Sequence, residues 1–128
     1  MGSKEAFFNL FNDKADEFFK DLINSFPNIA DFRKFKSGLM MLRNVNPKMP
    51  QQVFHKYVIS KYKDAMLIRD ESVFLNNTYD EVEGKEKEQW LQFIDQIKSI
   101  WKTLDDNNKD VVWKYFNVLI VLSEKCNL

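Results

Sequence analysis

The chain has very little of what small proteins use to staple themselves or to catalyse: one cysteine, one histidine, three glycines and three prolines. A lone Cys126 excludes an intramolecular disulfide and a cysteine metal cluster, and it suits a reducing compartment. A lone His55 removes every mechanism that needs a histidine pair and most zinc sites. Ser60 follows it by five residues, but no acid lies between them to orient the imidazole, so a nucleophilic dyad is discarded. Also missing are an apolar run long enough to span a membrane and an apolar stretch near the N-terminus that resembles a signal peptide. Asn76-Asn77-Thr78 fits a glycosylation sequon that is idle without secretion, and Met1-Gly2 lacks the Ser or Thr that myristoylation needs at the place of Ala6. The expectation is an intracellular, soluble protein that is not secreted.

One absence is local. From Phe32 to Lys63 the chain contains no Asp or Glu, while carrying Arg33, Lys34, Lys36, Arg43, Lys48, Lys56, Lys61 and Lys63, together with His55. Over the whole chain the charges balance, with 19 basic and 19 acidic groups. Residues 1–70 hold 12 basic against 8 acidic groups, and residues 71–128 hold 7 against 11. Such opposite halves orient a partner, associate with one another, or simply neutralise each other within the molecule.

What is present is apolar bulk: 45% hydrophobic residues, including 12 Phe, 3 Trp and 4 Tyr. That is too much for disorder, and at 128 residues it suffices for one domain spanning 1–128. The spacing is helical. Phe7, Phe8, Phe11, Ala15, Phe18, Phe19, Leu22 and Phe26 form an aromatic stripe on a helix from about Lys4 to Phe26, stopped by Pro27. Asp31 is a candidate cap for a second helix reaching about Arg43, with Phe32, Phe35, Leu39 and Leu42 inward, before a turn over Asn44 to Met49. Pro50 suits the first position of a third helix to about Arg69, with Val53, Phe54, Tyr57, Val58, Tyr62, Ala65 and Ile68 inward. Asp70 to Lys85 reads as a mobile acidic loop anchored only by Val73, Phe74 and Leu75, able to fold over the basic tract. A fourth helix over Glu86 to Leu104 buries Trp90, Phe93, Ile94, Ile97, Ile100, Trp101 and Leu104. The last, from about Asn108 to Lys125, carries Val111, Val112, Tyr115, Phe116, Val118, Leu119, Ile120 and Leu122, apolar on more than one side and therefore central; Trp113 lies off its main stripe. No internal repeat is evident, and the fold class is all-α, a single-domain bundle of about five helices with an aromatic-rich core.

The basic tract falls on the second and third helices. Arg33, Lys36 and Arg43 share nearly one stripe, and Lys56 and Lys63 are two turns apart with His55 beside them. This is either a face for an anion or an ordinary solvated surface whose counter-charges come from the acidic half. Phe32, Phe35, Phe54, Tyr57 and Tyr62 lie among the cations as stacking platforms would, but at core spacing, which favours burial. The turn between the two helices is too long for a helix-turn-helix reader.

Other constellations are weaker. Asp106, Asn108 and Asp110 imitate the start of a calcium loop, but Val111 and Asn117 occupy the places of its glycine and its bidentate glutamate; Asp105 and Asp106 fit a helix start instead. Asp13, Glu17 and Asp21 have di-metal spacing on the polar side of the first helix, where they meet water. Met40, Met41 and Met49 fit core filling, with an adaptable contact surface as the alternative.

Phe26-Pro27 followed by Asp31-Phe32-x-x-Phe35-Lys36, and Ile100-Trp101-x-x-Leu104 followed by Asn108-Lys109-x-x-Val112-Trp113-Lys114-Tyr115, resemble small helical proteins encoded by large DNA viruses of marine algae and other protists. The resemblance spans most of the chain and rests on core aromatics, so it implies a shared fold and work in an infected host cell, as an interaction factor or a minor component of the virion, and it brings no catalytic residue. The reading that results is a non-enzymatic interaction module, needing no cofactor, metal or small-molecule substrate. It docks an acidic protein or nucleic acid on residues 33–63; the alternative is a structural or self-associating protein that forms homo-oligomers.

Overall fold

The computed structural model describes residues 2–72 and 87–127, with the side chains of Tyr57, Lys61, Trp90, Leu91, Phe93 and Ile94 among those outside the description. Its elements are helices α1 (Gly2–Ser25), α2 (Ala30–Val45), α3 (Met49–Phe54), a π turn (His55–Ile59), α4 (Ser60–Leu67), α5 (Lys87–Trp101) and α6 (Asp106–Cys126). No strand occurs among the described residues. Helix α3, the π turn and α4 run on as one rod, so the bundle has the expected all-α character.

Helices α1 and α6 are antiparallel. Tyr115 on α6 reaches Asp21 and Glu17 on α1, whereas Lys125, near the other end of α6, lies over the Phe7 ring. Between them Phe18 meets Phe116 edge-on at 5.7 Å, and Trp101 of α5 meets Trp113 of α6 edge-on at 5.2 Å. Edge-to-face contact sets the positive rim of one ring against the negative face of the other. Phe32, Val58, Tyr62 and Met66 complete the core from α2 and the rod.

The helix ends follow local chemistry. The Asp105 side chain accepts the Asn108 N–H at 2.8 Å and caps α6, as the aspartate pair at that position suggested. Pro50 sits in the first turn of α3, where its missing N–H costs nothing. Arg69 adopts a left-handed φ of 57° after α4, and the Asp70 N–H reaches back to the Ala65 carbonyl at 2.8 Å, closing the rod in a Schellman-type end.

Four expectations are corrected. Asp31 is not the cap of α2: the cap residue is Ile29, without a side-chain bond, and Asp31 accepts the Gln96 amide at 2.8 Å instead. Ile68 is 74% exposed, and Met66 takes the inward place. Ile68 lies beyond the end of α4, where the chain leaves helical geometry. Trp113 is only 4% exposed, because α6 buries a face wide enough to include Val112 and Trp113 side by side. Met40 and Met41 are exposed and do not fill the core. Residues 73–85 of the segment expected to be mobile lie outside the described residues; Glu71, before them, accepts the Trp101 indole N–H at 2.8 Å.

Candidate functional site

The structure divides the basic tract into three groups. On the α1 side of α2, Lys36 pairs with Asp16 at 3.3 Å and Arg43 with Asp13 at 2.9 Å. These pairs stitch α2 to α1, and exposed pairs of this kind each contribute little. On the rod, Lys63 bonds Glu124 at 2.6 Å; His55 and Lys56 are exposed on the π turn; the Lys61 side chain lies outside the described residues. The Ser60 hydroxyl donates to the Lys56 carbonyl at 2.8 Å, which engages it away from His55. The third group is the outer side of α2 and the turn after it: Arg33 donates to the Pro27 carbonyl at 2.9 Å, Lys34 stands 3.8 Å from Asp31, and Lys48 lies over the Phe8 ring. The nine residues therefore do not converge on one point. Two counter-charges on α2 come from Asp13 and Asp16 of α1, within the basic half of the sequence, whereas Lys63 draws on the acidic half.

Beside α2 opens an apolar cleft of about 300 Å³. Its walls include Phe11 and Phe18 of α1, Phe35, Leu39 and Leu42 of α2, and Val53 and Phe54 of α3, with Asp31, Lys34 and Gln92 as its polar lining. Gly38 also lines it, and a Cβ built there meets no atom within 4 Å. Lys34, Gly38, Met41 and Val45 recur at steps of four, three and four, so they form one stripe along the helix. Lys34 has a side chain 77% exposed, Met41 is 69% exposed and Val45 75%. A cation, a gap and two exposed apolar side chains thus follow one another beside the cleft. Sequence spacing showed the inward stripe of Phe35, Leu39 and Leu42, but the apolar outer stripe is unsupported by any pattern, because methionine at those positions reads equally well as core.

The described aromatic side chains of the tract turn inward. Phe32 and Tyr62 are buried, Phe35 and Phe54 are half-buried against the core, and the Tyr57 side chain lies outside the described residues. Two buried polar links were not legible. Gln51 donates to the Ser123 hydroxyl at 2.7 Å and to its carbonyl at 3.1 Å, and Asn12 donates to the Pro47 carbonyl at 2.8 Å. Both anchor elements to one another and carry no chemistry.

Asp110 of the calcium-like triplet pairs with Arg69 at 2.5 Å and Lys114 at 3.0 Å, and these hydrogen bonds hold its carboxyl below the usual range. Among the described residues no cluster of His, Cys, Asp and Glu could hold a metal ion, and no helix is long and apolar enough to cross a membrane. Burial, and after it the adjoining Asp21 carboxylate, push the Tyr115 phenol well above its ordinary value, so the hydroxyl stays a donor. Cys126 is buried, which pushes its thiol up as well. Comparison with protein-family models, with curated proteins and with solved structures finds no match to this chain.

Proposed function

We propose that the chain is a non-enzymatic binding module that docks an acidic protein segment on the outer face of α2, seating one of the segment's apolar side chains in the adjoining cleft. The observation that carries this reading is the stripe of Lys34, Gly38, Met41 and Val45 beside a 300 Å³ apolar cleft. Lysine attracts the acid, the glycine leaves the approach open, and the thioether adapts to an irregular partner surface. Arg33 adds positive charge on the same helix. A protein partner is favoured over nucleic acid because the aromatic side chains that would stack on bases are turned into the core. The resemblance to helical proteins of large DNA viruses, with a single buried cysteine, supports work in a reducing compartment of a host cell.

The test uses a labelled amphipathic helical peptide of Glu, Leu and Ala, followed by fluorescence anisotropy. Binding should weaken as salt rises, because exposed charges are screened within about 8 Å at physiological ionic strength. Gly38→Phe, which fills the mouth, should abolish it while circular dichroism shows an unchanged fold. Duplex DNA bound more tightly than the peptide, and indifferently to Gly38→Phe, would overturn the protein reading in favour of a plain polyanion face.

A further inference from the structure

A second surface, remote from α2, runs along the seam of α1 and α6. Its α1 edge is Phe7, Leu10, Lys14, Glu17 and Asp21, which recur at steps of three and four and so lie in one line. Its α6 edge is Tyr115, Val118, Val121 and Lys125, at steps of three, three and four. Contacts fix how the edges meet: Tyr115 donates to Asp21 and, at 3.4 Å, to Glu17; Lys14 lies 6.0 Å from the Tyr115 ring centre; Lys125 lies 5.2 Å from that of Phe7. One end of the seam is therefore acidic and the other basic. Between them Leu10, Val118 and Val121 are about half exposed, an apolar middle shared by the two helices.

We infer that this seam is a self-complementary surface on which a second copy of the chain docks about a two-fold axis. The axis lies across the helices near their midpoint, so the sequence of charge along one seam meets its reverse on the other. Glu17 and Asp21 then face the partner's Lys125, and Lys125 faces the same two acids of the partner. Val118 and Val121 pack on their counterparts at the centre. Lys14 is bonded to its own Glu17 at 3.0 Å and leaves Asp21 as the acid that the partner's lysine meets. An isologous contact uses each junction twice, which makes a short patch sufficient where a one-sided contact would fail. The zero net charge of the chain removes the long-range repulsion that opposes two like copies. This inference is independent of the α2 reading.

The experiment measures mass by sedimentation velocity over the micromolar range. Wild type should rise from 15.3 kDa toward twice that value with concentration. Lys125→Glu sets acid against acid, and Asp21→Lys sets base against base; each alone should weaken dimerisation by about tenfold or more. An equal mixture of the two variants should form the dimer again, because both junctions of the mixed pair are then complementary. That recovery also shows that neither variant is misfolded. Wild type that stays monomeric, a dimer that survives either reversal, or a mixture that fails to recover would each overturn the proposal.

Discussion

Helix α2 fully buries one side chain, Phe32, whereas α6 fully buries seven, although both carry apolar residues on more than one side. The difference comes from their neighbours. Helix α6 has α1, the rod and the Trp101 end of α5 around it, so its valines and aromatics find partners in several directions. Helix α2 lies at the outside, tied to α1 by Lys36–Asp16 and Arg43–Asp13 and to α5 by Asp31–Gln96. The apolar content of a helix states how much it can bury; position in the bundle decides how much it does. Burial concentrates around α6, and α2 is the more loosely seated of the two.

The largest effect that tests this contrast is at the tryptophan pair. Trp113→Ala and Trp101→Ala should each cost about 3 to 5 kcal/mol, the range for emptying a buried aromatic site, while Met41→Ala on α2 should change a urea midpoint hardly at all. Similar costs at Met41 and Trp113 would erase the distinction between the two helices. Next comes Gln51→Ala, which strips the Ser123 hydroxyl and carbonyl of a buried donor and should cost about 1 to 3 kcal/mol. A measured cost near zero would show that the rod does not lean on α6 through this bond. Smaller, and of opposite sign, is Gly38→Ala. The helical backbone there has open space beside it, so alanine should stabilise by about 0.4 to 1 kcal/mol, read as a raised melting temperature. A lowered value would mean that α2 is held closer to its neighbours than its exposure implies.

The least of these effects is in pH. The Trp101 indole N–H, and then Lys109 at 3.3 Å, hold the Glu71 carboxyl below its ordinary value of 4.5 against the opposing effect of partial burial. A depressed folded-state value means that the contribution is present above the ordinary value and fades as pH falls below it through the folded one. Glu71→Gln should therefore flatten the acid limb of a stability-against-pH curve and leave the limb above neutrality alone. Parallel curves for the two proteins would contradict the assignment.

Much of the bundle was legible because its punctuation is chemical. Pro27, Pro50 and Asp105 mark ends within a residue or two of where they occur, and the stripe from Phe8 to Leu22 could face only a core. The misreadings share a cause: periodicity names a stripe without saying how wide the partner surface is. Trp113 lies within a buried stripe broader than its spacing implies, and Met41 does not reach the core. Ile68 is exposed because α4 stops one residue before it. At the candidate site the charge of Arg33, Lys34, Lys36 and Arg43 was evident, but the acids that meet Lys36 and Arg43 come from a helix distant in sequence. The cleft beside Gly38 exists only once α1, α2, the rod, α5 and α6 are packed around it.

The π turn at His55–Ile59 gives the rod a spare residue. A turn of this kind holds one amino acid more than the regular helix needs to join the same two flanks. Removing one position there, at exposed His55 for instance, would rewind the turn to ordinary pitch and leave Pro50 and Met66 where they stand. The same deletion inside α4 would swing everything after it by about 100° and carry Met66 out of the core. Length variation in this chain is therefore tolerated at one address and forbidden a few residues away, and related sequences aligned on either side of that turn should differ by a gap of one.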